Sequence, residues 1–529
     1  MPDLLVAGTI HTLDPARPRA GAALARDGRF VCVGSESECA ARARPGLRRI
    51  DLGGGSAVPG LADAHGHVHG LALARANVSC VGAASAEACA ERAAERARGV
   101  PAGRWIRGRG WDQNRWPGAA FPDGRILTRA VPDHPAVLVR VDGHASWANA
   151  RALEAAGVGP GTPDPPGGRI LRDPAGRPSG VLVDAAQDLV LSRIPKPTPE
   201  ELEAGLAAAL RELASLGLTA VHDAGVEPAA LDAYRRLASA DLLPVRVYAM
   251  LAGDPPLADL ERELARWRGG FEEGRLTVRS VKLFADGALG SRGAALLDDY
   301  ADDPGNRGLF LTEPPALRAR IAAVARAGLQ PCVHAIGDRA VREVLRAFVE
   351  TGPALRALRP RVEHLQILDP ADLPLLGSSG AVASMQPTHA TSDGPWVASR
   401  LGAGTARLRG SYAWRSVARA GAVLAFGSDF PIEEPDPRPG LYAAETRRMA
   451  GGRAFQPGEA LERAEALRAF TAGAAHASFA EERRGMIREG FDADLTAFEE
   501  DVLAVPAEAL PALPVSHTIV GGRVEFDAG

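Results

Sequence analysis

Lysine is nearly missing from this chain. Of 61 basic residues, two are lysine (Lys196 and Lys282) and the other 59 are arginine. With so much Ala, Gly and Arg, this bias reads as that of a GC-rich genome and not as a binding function. It serves as a filter, because a lysine that persists can offer an amine where a guanidinium cannot substitute. Cysteine is also sparse: Cys32, Cys39, Cys80, Cys89 and Cys332 are odd in number and form no CxxC pair. That scatter predicts reduced thiols in a cytoplasm, packed as small hydrophobes. No apolar run approaches the roughly 20 residues that a bilayer span needs. Residues 1–9 have no basic stretch ahead of their short apolar run, so no signal peptide is expected. The formal net charge of −4 is too small to draw the chain to nucleic acid or an anionic membrane. The expectation is a cytoplasmic protein with neither as a partner.

The 529 residues are 46% apolar and 24% charged, ordinary for a globular protein with a sizeable core. The length suggests several domains, or one large barrel with smaller parts. Asp3–Val6 and Arg29–Val33 read as short strands near the N-terminus. Ala493–Phe498, Ser516–Val520 and Val524–Phe526 read likewise near the C-terminus, the last two joined by Gly521-Gly522, a hairpin signal. Residues 1–56 and 480–529 are therefore expected to build one small β-sandwich from both chain ends.

Between them, eight short apolar runs alternate with helical stretches. The strand candidates are Ala57–Ala64, Thr219–Asp223, Pro244–Met250, Val278–Ala285, Gln330–His334, Arg361–His364, Ala381–Gln386 and Val423–Ser428. Glu200–Leu216, Ala229–Ala238, Pro315–Ala327, Ala340–Glu350 and Tyr412–Ala420 carry apolar residues near the 3.6 period. This alternation predicts an α/β fold with a parallel sheet, and eight strands close a (β/α)8 TIM barrel over residues 57–479. The interval 70–216 is too long for one barrel helix. It contains its own helix (Ser85–Arg98), strand candidates (Ala136–Val141, Gly180–Leu182) and a Pro/Gly-rich loop, and reads as an insertion after the first barrel strand.

The candidate chemistry sits at the strand ends. The first run ends in Asp63-Ala64-His65-Gly66-His67-Val68-His69. Residues two apart share a strand face, so His65 and His67 point the same way and can bind one metal ion. His67 and His69 share that parity, but the apolar run stops at Ala64, which favours the first pair. His334 ends the fifth run, His364 the sixth and Asp429 follows the eighth, while Lys282 lies in the fourth. Active sites of such barrels are built at these ends. Lys282 has two readings. A neutral amine can add carbon dioxide to become a carbamate that bridges metals; alternatively, the lysine is buried and paired with Asp286 or another acid.

This constellation resembles the amidohydrolase superfamily of metal-dependent hydrolases: HxH on strand 1, Lys on strand 4, His on strands 5 and 6, Asp on strand 8. Finer motifs resemble its YtcJ-like, N-substituted formamide deformylase-like branch. They run Pro59-Gly60-Leu61-Ala62-Asp63-Ala64-His65-Gly66-His67, Val281-Lys282-Leu283-Phe284-Ala285-Asp286-Gly287, His334-Ala335-Ile336-Gly337-Asp338-Arg339, Glu363-His364, Gln386-Pro387 and Gly427-Ser428-Asp429-Phe430-Pro431. The resemblance implies that His65 and His67 hold one metal, that His334 and His364 hold a second, and that carboxylated Lys282 bridges them. Asp429 would touch the first metal and act as general base. Zinc suits this set, as one ion or two, and other divalent metals could also bind. The implied reaction is hydrolysis of a non-peptide C–N bond in a small amide, of N-substituted formamide or N-acyl type. An ester, lactone or cyclic imide hydrolase on the same site, or a non-catalytic binding or regulatory barrel, is the alternative.

Trp111, Asp112, His144, His222, Gln386 and Phe430 are candidate substrate contacts near the mouth. His389, close to Gln386, would face the same way. Asp338-Arg339 reads as a helix N-terminal pair. A barrel of this size has a homodimer as its default expectation.

Overall fold

A computed structural model describes residues 2–529. All eight runs form parallel strands, hydrogen-bonded in sequence order: β1 (Leu61–Gly66), β2 (Leu218–Val226), β3 (Arg246–Ala252), β4 (Leu276–Phe284), β5 (Gln330–Ala335), β6 (Arg361–His364), β7 (Val382–Met385) and β8 (Leu424–Phe426). Phe271–Glu273 adds a short antiparallel strand to β4. The barrel is nearly closed. At the seam between β8 and β1, the Asp429 amide donates to the His65 carbonyl (2.7 Å), and the Asp63 carboxylate accepts from the Ser428 amide and hydroxyl. Gly427 makes this approach possible, because a Cβ there would lie 2.5 Å from Asp63 Oδ1 and from the His65 nitrogen.

The helices follow from the apolar period. In α1 (Asp338–Thr351), Val341, Val344, Leu345 and Phe348 are buried along one face, the i, i+3, i+4, i+7 stripe of a helix lying on a sheet. Pairing registers place Phe284 beside His334 and Ala335 beside His364. The candidate side chains thus gather at the C-terminal end of the barrel.

The two chain ends join in one seven-stranded sheet, in the order Arg523–Asp527, Val515–Val520, Leu495–Phe498, Arg48–Pro59, Leu4–His11, Arg19–Arg26, Arg29–Gly34. Leu4, Val6, Ile10, Phe30, Leu495 and Ile519 form its main core. Ala57–Pro59, expected to begin the first barrel strand, pair instead with Leu495–Thr496–Ala497. The chain crosses from sheet to barrel at Gly60, packed so tightly that a Cβ would lie 2.3 Å from Thr219 Oγ1. Arg246 of β3 ties the sheet to the barrel floor through both carboxylate oxygens of Asp494 (2.7 and 2.9 Å).

The expectation of five free thiols is corrected in one place. Cys32 and Cys39 form a disulfide, while Cys80, Cys89 and Cys332 are free and buried. The turn at Ser35, which caps helix Glu36–Ala41, brings the two Cα atoms to 5.4 Å, within disulfide range. A spacing of seven residues carries no such signal by itself.

Residues 69–205 form a second compact unit. Its six-stranded sheet runs Gly168–Arg172, Pro178–Asp184, Ala145–Ala148, Ala136–Arg140, Ile106–Trp111, Val78–Ser79. Ile106, Trp111, Leu127, Leu138 and Trp147 are core residues here, and helix Ala86–Ala97 is capped by the Ser85 hydroxyl. Among the described residues, no helix is long and apolar enough to cross a membrane.

Candidate metal centre

Four histidines, His65, His67, His364 and His389, lie within 4 Å of the Asp429 carboxylate. His65, near the tip of β1, places Nε2 at 3.6 Å from Asp429 Oδ1, and His67 places Nε2 at 3.2 Å from the same oxygen. The His364 ring packs against both His65 and His334, with centroids 4.7 and 4.6 Å apart. Two groups of donor atoms lie within 4.8 Å of one another: His65, His67 and Asp429, and His364, His389 and Asp429.

Three of the imidazoles are held through Nδ1. His65 Nδ1 bonds Glu363 Oε2 at 2.5 Å, His67 Nδ1 bonds the Ala224 carbonyl at 2.8 Å, and His364 Nδ1 bonds Gln386 Oε1 at 2.9 Å. An acceptor at Nδ1 keeps the proton there and leaves a lone pair on Nε2, the arrangement that supports metal-binding histidines. Burial, then the Lys282 charge, pushes His65 down to about 4 and His334 down to about 3. Burial, then His334, holds His364 well below the ordinary range. These imidazoles are neutral near pH 7. Burial opposes ionisation of Asp429, yet the surrounding histidines, His67 first and then His364, His65 and His389, hold its carboxyl well below the usual range.

Asp429 Oδ1, His334 Nε2 and His389 Nε2 are buried without a hydrogen-bond partner. Leaving a buried polar atom unpaired costs about 1–3 kcal/mol, and the Asp429 oxygen and the His334 nitrogen fit a bound cation. The backbone is also strained here. His364 and Asp429 have φ of 74° and 61°, a region that costs a non-glycine residue of order 1–3 kcal/mol.

Lys282 is 1% exposed. Its Nζ lies 2.9 Å from His65 Nε2, and burial pushes its pKa down. The pairing with Asp286 that the sequence left open is not formed. Asp286 instead accepts the backbone amides of Ala295, Ile336 and Gly337.

Beneath the cluster lies a group the sequence did not single out. Arg361 and Glu363 share the inward face of β6 and are both 0% exposed. Arg361 Nε donates to Glu363 Oε1 (2.7 Å), and its Nη2 donates to the Ala64 carbonyl (2.6 Å) and to Ser384 Oγ (2.9 Å). Burial opposes ionisation of Glu363, but Arg361 and then His65 hold its carboxyl well below the usual range. The available signal was charge at both i and i+2 of an otherwise apolar strand.

Several expected substrate contacts have other surroundings. His222 lies inside the barrel, where its Nδ1 accepts from Arg361 Nη1 (3.0 Å). It lines a cavity of about 200 Å³ at the barrel floor with Arg246, Tyr248, Arg279 and Phe479. The reason is length: β2 runs on to Val226, so its tip lies four residues beyond His222. Phe430 is fully buried against Gly66, where a Cβ would lie 2.2 Å from the ring; it supports the His65–His67 turn. Gln386 orients His364, as described above. In the second unit, Trp111 is a core residue whose indole donates to the Leu138 carbonyl. There Asp112 accepts from Arg140 (3.1 Å), and exposed His144 bonds Asp184 (2.9 Å).

Comparison with known proteins identifies the family. A model of the Amidohydrolase family matches residues 48–526, and the chain belongs to that family of metal-dependent hydrolases. It is 32% identical over 529 residues to a Bacillus subtilis (strain 168) protein named "Putative amidohydrolase YtcJ", with 98% of each chain covered. It is 28% identical over 546 residues to the N-substituted formamide deformylase of Arthrobacter pascens, covering 99% of this chain and 98% of that one. The crystal structure of an uncharacterized metal-dependent hydrolase from Pyrococcus horikoshii OT3 superposes with a TM-score of 0.80 at 28% identity, covering 96% and 99%.

Proposed function

We propose that the protein hydrolyses a non-peptide C–N bond of a small amide, with an N-substituted formamide or N-acyl amine as substrate. The observation that carries this reading is the pair of histidine Nε2 atoms of His65 and His67, each ring held at Nδ1 by an oxygen acceptor, beside the buried, ionised Asp429. His65, His67 and Asp429 hold one divalent ion, with zinc suited to the donor set. His334, His364 and N6-carboxylated Lys282 hold a second where two are bound. An amine reacts with carbon dioxide in its neutral form, and burial favours that form of Lys282, which makes no hydrogen bond to a carboxylate. The similarity to a formamide deformylase supports the substrate class.

A cation bound there supplies Lewis acidity, polarising the carbonyl and making water acidic enough to attack near neutral pH. Asp429 accepts the proton of the attacking water on its unpartnered Oδ1. The water oxygen adds to the carbonyl carbon, the C–N bond breaks, and Asp429 returns the proton to the leaving nitrogen. The products are a carboxylic acid and an amine. Glu363 and Gln386 keep the His65 and His364 rings in place throughout.

The first test is elemental analysis of protein purified without added metal or chelator, with native intact mass. Turnover is then measured on formanilide, acetanilide, phenyl acetate and hydantoin. Bound zinc and chelator-sensitive release of aniline from formanilide are expected. Two ions with the added mass of one carbon dioxide support the Lys282 bridge; one ion without it makes Lys282 a plain amine. Protein that binds no metal on reconstitution defeats the reading.

A further inference from the structure

The centre contains a histidine for which the mechanism above has no use. His389 lies in the first turn of α2 (Pro387–Leu401), the helix that follows β7. Its ring is buried and stacks beside His364, with centroids 6.3 Å apart and planes 22° apart. Its Nε2 is 3.8 Å from Asp429 Oδ2, beyond hydrogen-bond reach, and has no partner.

His389 and His364 are oriented by glutamines of opposite polarity. Gln386 offers its carbonyl oxygen to His364 Nδ1 at 2.9 Å. That leaves the proton of His364 on Nδ1 and a lone pair on Nε2. Gln366 instead offers its amide nitrogen to His389 Nδ1 at 3.2 Å. An amide N–H donates, so His389 Nδ1 accepts, and the ring proton sits on Nε2. His364 thus presents a lone pair to the centre, whereas His389 presents an N–H. An N–H cannot ligate a cation, but it can hydrogen-bond an oxygen that gains negative charge. A second unpartnered donor, Gln386 Nε2, lies one turn earlier on the same segment.

We infer that His389 is a catalytic residue whose Nε2–H binds the acyl oxygen of the substrate and stabilises the oxyanion formed on attack, and that Gln366 is the positioning residue that keeps the proton on Nε2. As water adds to the carbonyl carbon, the C=O π pair moves onto oxygen, and the His389 bond strengthens with that charge. The bond weakens again when the pair returns and the C–N bond breaks. His389 neither gains nor loses a proton. This inference rests on the proposed hydrolysis of an acyl–nitrogen bond.

The test compares zinc-loaded wild type, His389→Ala and His389→Gln by bound zinc, by kcat and KM on formanilide, and by the nitrogen shifts of ¹⁵N-labelled histidine. The expected His389→Ala protein retains the wild-type zinc content and loses kcat by about 10²–10³-fold, the effect of removing one oxyanion donor. Its KM stays within about threefold, because the lost contact acts in the transition state. His389→Gln, which restores an N–H donor but is a poor metal ligand, recovers at least about tenfold of that kcat. In wild type, His389 shows the Nε2–H tautomer. Loss of zinc in either variant overturns the inference and makes His389 a ligand; unchanged kcat or an Nδ1–H tautomer also overturns it. Should His389→Ala not fold, the isosteric His389→Gln carries the zinc and kcat readings alone. Failure of wild type on the whole amide panel defeats the hydrolase reading separately; the tautomer and zinc content then decide whether His389 is a donor.

Discussion

The two ends of the barrel handle buried polarity in opposite ways. At the floor, Arg246 meets both oxygens of Asp494, Arg484 meets Asp492 at 2.8 Å, and the Thr496 hydroxyl donates to the Gly217 carbonyl at 2.7 Å. At the mouth, Asp429 Oδ1, His334 Nε2, His389 Nε2 and Gln386 Nε2 are buried without partners, and His364 and Asp429 have left-handed backbone. The same protein satisfies polar groups fully where they only fasten sheet to barrel. It leaves four of them unsatisfied at the strand tips. The contrast teaches that saturated networks hold structure, whereas convergent unpaired donors and acceptors await a cation and a substrate.

Breaking the mouth gives the largest effect. His65→Ala removes one Nε2 lone pair and leaves Glu363 without one of its two partners; bound zinc and turnover are expected to fall to background, with elemental analysis and the formanilide assay as readouts. Glu363→Gln tests the layer between the two ends. Losing an orienting carboxylate weakens metal affinity about 10- to 100-fold, measured by chelator competition. It also strands the buried Arg361 charge, which costs about 3–5 kcal/mol, measured by urea unfolding. Asp494→Ala strikes the floor alone. It leaves Arg246 with only the 3.5 Å contact to Asp492, and a loss of about 2–4 kcal/mol is expected. Zinc affinity should stay at the wild-type value, and a matching drop in affinity would erase the distinction between the ends.

The smallest effect lies in the terminal sheet. The Arg26 hydrogen bonds, working against burial, draw Asp3 down to about 2 from 3.8. The folded state therefore favours the ionised form, and the gain is present above pH about 4 and lost as pH falls toward about 2. Asp3→Asn should lower the urea midpoint at pH 7 and make less difference at pH 3.5. An equal difference at both values would remove the electrostatic account.

How much of this was legible depended on whether a signal was local. The strand ends were readable because each apolar run stops at its polar residue, as Val362-Glu363-His364 does. Lys282 stood out through scarcity. Glu363 was visible only as the neighbour of His364, because its role comes from Arg361 beside it and from His65 on a strand 298 positions away. His222 was misjudged by the length of one strand, and Phe430 by its nearness to Asp429. The Cys32–Cys39 bond depends on a turn, and the tautomer of His389 on a glutamine from another strand end.

By itself, the sequence determined the barrel, a β unit drawing on both chain ends (expected as a sandwich, formed as one seven-stranded sheet) and the set of residues at the strand tips. Apolar period, strand parity and residue type act over a few neighbouring positions, and a single chain displays them directly. Tertiary structure alone decided which nitrogen of each imidazole carries the proton, which carboxylates are satisfied and which stay open. Those properties belong to pairs of groups distant along the chain, and hydrogen bonding at about 3 Å is set only when the barrel closes.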